Sequence, residues 1–291
     1  MPTAYQKQVQ AGIVLALVTS LIASTAAAAA KVLSEDYSPW LVVWVQYGLC
    51  WLLMLPWLLR QGPGAVRTPR AGLHISRSLA GWLGFTCYYL ALPEIPLVDA
   101  SLLRSAAPLW VPAVVWLWLR QQVPASRWWA LLVGFAGVCL VLNPQVHGLN
   151  PGHLLGLGAG VALAVSMATT RSLSTTEPAA RVLFYYFGIS FLASTPMALL
   201  HLEPIGLAAW PGFLWVGLSI FLTMVLYTRA YTLAPTSVIA PLSYVAVPAA
   251  AGLDWLLWKQ LPDLMTLAGS VLVISSGVLA LTLSPRSHSD H

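Results

Sequence analysis

Charge is what this 291-residue chain has least of: Asp, Glu, Lys and Arg together make up 8% of it. Soluble domains carry roughly 25% charged residues. Charge this sparse cannot solvate a globule of this length when 58% of the residues are hydrophobic, so lipid is the expected solvent. Cysteine is scarce as well. Cys50, Cys87 and Cys139 all lie in apolar runs, and an odd number so placed argues against a disulfide framework. There is no P-loop, which argues against direct drive by ATP. The histidines, His74, His147, His153, His201, His288 and His291, show no metal-ligand spacing, and no Ser/His pairing stands out. No cofactor, no metal and no enzymatic activity are therefore expected. The formal net charge of +5 comes from scattered basic residues and is no nucleic-acid signature.

What the chain does have is apolar runs of membrane length. A transmembrane helix needs ~20 mainly apolar residues. Ten segments qualify, at approximately 11–32, 39–59, 72–92, 97–119, 126–142, 152–172, 181–201, 210–233, 236–258 and 264–283. Short Pro-, Gly- and polar-rich links such as Gln61-Gly-Pro-Gly64, Asn143-Pro144 and Glu203-Pro204 join them. The alanine-rich end of the first run, Ala26 to Ala30, could pass for a signal-peptide cleavage region. The repeat described below gives that run its own counterpart and favours a retained span.

The basic residues orient the chain. With the N-terminus inside, Lys7, Arg60, Arg67, Arg70, Arg77, Arg120, Arg127, Arg171, Arg181, Arg229 and Arg286 fall inside. Only Lys31 and Lys259 fall outside, and Arg104 lies within a helix. The positive-inside bias predicts a multi-pass inner-membrane protein with both termini cytoplasmic. The acids Glu35, Asp36, Glu94, Glu203 and Asp263 lean to the other side.

The chain also repeats itself at an offset of 140 residues. Gly12 matches Gly152, Lys31 matches Arg171, Gly48 matches Gly188 and Pro56 matches Pro196. Pro108 matches Pro248, Trp118 matches Trp258 and Gly137 matches Gly277. Apolar composition alone yields Leu and Ala coincidences, but not Pro, Trp and Gly at one fixed shift. Residues 1–145 and 146–291 are thus predicted to be two five-helix repeats. An odd helix number inverts the second copy. The expected fold is an all-α polytopic membrane protein of ten transmembrane helices in two inverted-topology repeats. Such repeats are a hallmark of secondary transporters, with the substrate site near the midplane at the repeat interface.

The residues also carry a resemblance. Arg77-Ser-Leu-Ala-Gly81, Tyr88-Tyr-Leu-Ala-Leu92 and Ile95-Pro-Leu-Val-Asp-Ala100 resemble the third and fourth helices of EamA-type proteins of the drug/metabolite transporter superfamily. Arg229-Ala-Tyr-Thr-Leu-Ala-Pro235 resembles the matching segment of the second copy. Where the family often has Gly-Glu after helices 4 and 9, this chain has Gln121-Gln122 and Lys259-Gln260; where helix 2 often carries an arginine, it has Gln46. The resemblance implies a 5+5 inverted repeat around a central cavity and a metabolite substrate.

Within the helices, Arg104 is the leading candidate. It lies ~6 Å from the midpoint of its helix at 1.5 Å per residue. A charge at that depth costs several kcal/mol unless it meets a partner or a wet cavity. Ser101, Arg104 and Pro108 share one helical face, and the offset maps them onto Pro241, Tyr244 and Pro248. These two faces are read as walls of a substrate site. Tyr88, Ser243, Gln46 and Ser166 are further substrate-binding candidates, while Ser20, Ser24, Thr25, Thr169 and Thr170 either line a cavity or bond back to their own helices. The alternative for Arg104 is an ion pair with Glu94 or Asp254. Asp99 and Asp254 are candidate proton carriers; the competing roles are that Asp99 caps helix 4 and that Asp254 pairs with Lys259. Arg77, Arg171 and Arg229 read as topology anchors at helix ends. The expected function is alternating-access transport of a small polar organic solute, an amino acid, carboxylate or similar anionic or zwitterionic metabolite. A flippase for a lipid or other amphiphile on the same fold is the alternative. Expected partners are the small-molecule solute, membrane lipid and protons, with no nucleic acid, for a chain that is a monomer or homodimer.

Overall fold

The computed structural model describes residues 4–117, 125–142, 150–234, 238–239 and 242–282. Every regular element among them is helical. In chain order they are α1 (Ala4–Asp36), α2 (Pro39–Gln61), α3 (Ala71–Ala91), α4 (Leu97–Ser105), α5 (Ala107–Leu117), α6 (Ala125–Leu142), α7 (Pro151–Ser174), α8 (Ala179–Leu200), α9 (Trp210–Leu233), α10 (Ala246–Trp258) and α11 (Leu264–Thr282). Short 3-10 turns at Pro63–Val66, Leu207–Ala209 and Ser243–Val245 join some of them. Arg120, Gln121-Gln122, Asn143-Pro144, Pro235, Pro241 and Arg286 lie outside the described residues.

Local chemistry sets the helix ends. Asn150 accepts a bond from Gly152 N at 2.7 Å, and Pro151 follows at the first helical position of α7, where no N–H is needed. Pro39 opens α2 in the same way, and Gly62 closes it with φ +76°, a conformation that favours glycine. Within the helices, α1, α2, α7, α8 and the stretch Leu207–Ala230 are long and apolar enough to cross a membrane. α1 runs further at both ends than the apolar segment 11–32, because the polar residues flanking that segment are also good helix formers.

The surface of the bundle is apolar. Leu192, Leu199, Leu256, Leu257 and Val271 are exposed, while Gln46, His74, Ser190, Ser194 and Ser219 are fully buried. That inversion is what a lipid solvent imposes: apolar side chains face the tails, and polar ones find partners between helices.

The segment expected as one helix over 97–119 is broken. α4 stops at Ser105 and α5 starts at Ala107, with Ala106 at ψ −2°. The cause is Pro108, which has no N–H to give the Arg104 carbonyl. The chain tightens instead, and Leu109 N bonds Ala106 O at 2.9 Å. The segment expected over 236–258 likewise shows the Ser243–Val245 turn before α10, ahead of Pro248. Irregular backbone thus lies just before each of the two prolines.

The most extensive helix pairings are α3 with α7, α1 with α9, α6 with α11 and α2 with α8. Each joins the first half of the chain to the second. Glycine allows the closest approaches. A Cβ on Gly160 of α7 would lie 2.5 Å from the Leu103 carbonyl oxygen of α4, and one on Gly137 of α6 would lie 2.8 Å from the Gly269 carbonyl of α11. Gly160→Val is expected to push α4 off α7 and cost roughly 1–3 kcal/mol by overpacking. The check is the fraction of protein eluting as a single folded peak after a heat step, against wild type.

Candidate functional site

A cavity of about 410 Å³ lies in the middle of the bundle, walled by α1, α3, the α4–α5 break, α7, α9 and the Ser243–Val245 turn. The broken segment brings Arg104, Ser105 and Pro108 to one wall; the turn before α10 brings Ser243 and Tyr244 to another. Phe85, Tyr88 and Tyr89 come from α3, and Met224 and Tyr227 from α9.

Arg104 is the one charged residue among the described lining. Its guanidinium carbon stands 4.4 Å from the Phe85 ring centroid and 5.0 Å from that of Tyr88. These rings attract the cation through their faces, but they accept none of its in-plane hydrogen bonds as a carboxylate would. Its Nε has no hydrogen-bond partner among the described residues, and no acid there lies within ion-pair distance. Across the cavity the buried Tyr244 hydroxyl also lacks a partner.

The ion pair considered for Arg104 is not formed, because Asp254 is committed elsewhere. Its Oδ1 faces Lys31 Nζ at 3.4 Å, and its two oxygens accept from Leu97 N at 3.1 Å and Val98 N at 2.7 Å. Asp254 of α10 therefore caps α4. It does so in place of Asp99, and its cation is Lys31 rather than Lys259. The reason is positional: the first turn of α4 offers free N–H groups and a positive dipole end, and α10 packs against it. Asp99 instead accepts from Thr266 Oγ1 at 3.0 Å and faces His153 Nε2 at 3.5 Å. Both aspartates line a second cavity, of about 400 Å³, with Glu94, Asn150, His153 and Asp263. A larger cleft of about 580 Å³ runs along the flank between α1 and α10. Asp36 at its end is its one charged group among the described lining, so it offers less chemistry than either.

The other polar candidates are used to tie helices. Ser101 Oγ bonds Tyr88 OH at 2.9 Å from behind the cavity wall. Gln46 Oε1 accepts from Tyr89 OH, and its Nε2 has no partner among the described residues. Ser166 Oγ donates to Arg77 O at 3.3 Å, pinning α7 to α3. None of the three is in the lining. Ser20 does line the cavity, while its hydroxyl bonds Leu242 O at 3.0 Å. Ser24 bonds Ala246 O at 3.1 Å, Thr169 and Thr170 bond back to their own helix, and Thr25 faces the flank cleft.

Arg77 is not an end anchor. It is buried, with its guanidinium 3.7 Å from the Tyr186 ring. Residues missed by sequence reasoning are Phe85, Leu163, Met167, Met224 and Tyr227, whose apolar or aromatic character does not set them apart from lipid-facing neighbours. At the end rich in arginine, Glu177 accepts from Thr68 Oγ1 at 2.5 Å and Arg181 Nη1 at 2.6 Å. Those bonds hold its carboxyl below the usual carboxylate range.

The model of the EamA-like transporter family matches twice, over residues 10–143 and 150–282. The pseudopaline exporter CntI of Pseudomonas aeruginosa strain UCBPP-PA14 is 28% identical over 267 residues, covering 91% of this chain and 94% of that protein. An S-adenosylmethionine uptake transporter of Rickettsia prowazekii is 23% identical over 276 residues, covering 94% and 92%. A riboflavin transporter of Vibrio cholerae is 26% identical over 242 residues, covering 81% and 80%. A solved crystal structure superposes with TM-score 0.64 at 17% identity, covering 96% of this chain and 99% of that one, and so shares the fold. With apolar membrane-length helices, a central cavity and the family match over nearly its full length, this multi-pass membrane protein belongs to the EamA-like transporter family.

Proposed function

We propose that this protein is a secondary transporter that moves a small organic solute bearing a negative charge through the Arg104 cavity by alternating access. The observation that carries this reading is a half-buried guanidinium that lines the central cavity and has no acidic partner among the described residues. A buried charge is expensive to keep unless something uses it. The named relatives handle different organic solutes, which supports a small organic substrate rather than any one of theirs.

We further propose ten spans in two inverted halves, residues 1–145 and 146–291. Three pairs of cavity residues related by the 140-residue offset support this: Ala23 with Leu163, Ala27 with Met167, and Arg104 with Tyr244. So do the four principal helix pairings, since exchanging the halves turns α3·α7 into α9·α1 and leaves α2·α8 and α6·α11 unchanged. The basic end is assigned to the cytoplasm of an inner membrane, with both termini on that side. In a background free of Cys50, Cys87 and Cys139, a Gly64→Cys variant should react with an impermeant maleimide only after lysis. Leu261→Cys should react in intact cells; the reverse pattern would overturn the orientation.

On this reading, the far end of the cavity is closed by ties between the halves. Lys31 bonds Asp254, Asp99 holds Thr266, and Glu35 accepts from Trp258 Nε1 at 3.0 Å. Opening outward requires these ties to be exchanged for water. Asp99 is the better placed proton carrier, because its partners are a hydroxyl and an imidazole where Asp254 is paired with a lysine. Asp99→Asn is expected to flatten the dependence of uptake on external pH. An unchanged pH profile would remove Asp99 from coupling.

A further inference from the structure

The charge balance of the cavity says more about its occupant than that it is a solute. Arg104 is the sole charged group among the described lining, and the nearby acids are committed to other partners: Asp254 to Lys31 and the start of α4, Asp99 to Thr266 and His153. The half-buried Arg104 and Tyr244, whose phenol has no partner among the described residues, thus line a space with no acidic side chain in its described lining. The remaining wall is apolar and adaptable, with Phe85, Met167, Ile220 and Met224. Thioether side chains fit irregular bodies and favour contact with aromatic rings.

We infer that the cavity takes an organic monoanion with an apolar or aromatic body, and rejects the amino-bearing counterpart of the same body. This rests on the transport reading for its place in the molecule. A carboxylate entering here supplies the partner that the guanidinium lacks, in the planar two-point geometry that arginine favours. An α-ammonium, a few ångströms from that carboxylate, brings a second cation beside Arg104. No carboxylate of the described lining compensates it, and its loss of water is not repaid. The hydroxyls of Thr19 and Thr223 in the lining donate to carbonyls of their own helices and leave this charge balance unchanged. A solute volume compatible with about 410 Å³ falls within the ordinary range for small-molecule sites.

A series with one body and four charge states tests this: 3-phenylpropionate, phenylalanine, phenethylamine and 3-phenylpropanamide, titrated calorimetrically into the purified full chain in detergent at neutral pH. The expected result is that 3-phenylpropionate binds at least tenfold more tightly than phenylalanine and the amide, with phenethylamine weakest. Arg104→Gln should bring the anion down to the level of the amide, and Arg104→Lys should keep the order with weaker binding. Phenylalanine or phenethylamine binding as tightly as 3-phenylpropionate would overturn the inference, as would no binding of the anion at millimolar concentration. An anion that binds in this order but is not carried into proteoliposomes would contradict the transport reading and leave the inference standing. Carriage of cations or zwitterions, undiminished by Arg104→Gln, would do the opposite.

Discussion

Arg104→Ala is expected to weaken the binding of an organic anion by about ten- to a hundredfold and to leave a folded protein. A charge-assisted hydrogen bond is worth roughly 1.5–3 kcal/mol, and each ~1.4 kcal/mol is tenfold in affinity. Folding should survive because no acid is left unpaired by the change: Asp254 keeps Lys31 and the α4 N–H groups, and Asp99 keeps Thr266. What the fold loses is the contact with Phe85 and Tyr88, worth ~0.5–2 kcal/mol. Arg104→Lys keeps the charge but not the planar fork, so it should fall between alanine and wild type. The check is anion affinity in detergent for variants that elute as one folded peak. A well-folded Arg104→Ala protein binding like wild type would take the residue out of the site.

Asp254→Ala is expected to be the most destabilising change at the acidic end, by roughly 3–5 kcal/mol, because it strands a buried cation. Lys31 is 8% exposed and Asp254 1%. Without the carboxylate, Lys31 keeps the Ile95 carbonyl, the Trp258 ring, 4.6 Å away, and the longer-range attraction of Asp99 and Glu35, and it faces the positive end of α4. The reverse change, Lys31→Met, should cost less. Asp254 would still accept from Leu97 N and Val98 N, and the methionine body replaces the buried stem of the lysine. The ranking can be read from the temperature at which half of each variant stays monodisperse in detergent. Equal loss in both variants, or greater loss in Lys31→Met, would contradict the assignment of Asp254 as the cap of α4.

Much of the helical layout is legible in the sequence, because apolar runs of span length leave few alternatives in lipid. The break at Ala106 is not, since the run 97–119 has the length of one span and its prolines, Pro108 and Pro112, do not say where or whether the helix stops. A proline inside a span does not predict a break. Pro56 and Pro196 sit within continuous helices, whereas Pro108 lies just after one. Candidate site residues divide in a similar way. Arg104 and Tyr244 stand out by charge and by the offset that relates them, and both line the cavity. Ser101, Gln46 and Ser166 stand out for the same polarity but are spent inside the wall. A polar group in an apolar interior must find a partner, and the nearest is usually a neighbouring helix. Polarity within a span therefore selects helix ties as readily as ligand contacts. Phe85 and Met167 carry no such signal, since only the packing of α3 and α7 decides which face of each meets the cavity. Arg77 misleads for the opposite reason: it is near a helix start in sequence, yet α8 covers it with Tyr186.

Transport itself is tested most directly by uptake of a panel of labelled carboxylates and amino acids into proteoliposomes holding the purified full chain, with empty liposomes and Arg104→Ala as references. The expected result is accumulation of at least one carboxylate above empty liposomes, lost or reduced at least tenfold in Arg104→Ala. Uptake of the same solutes at wild-type rate by the folded Arg104→Ala protein, or no carboxylate carried above empty liposomes, would contradict it.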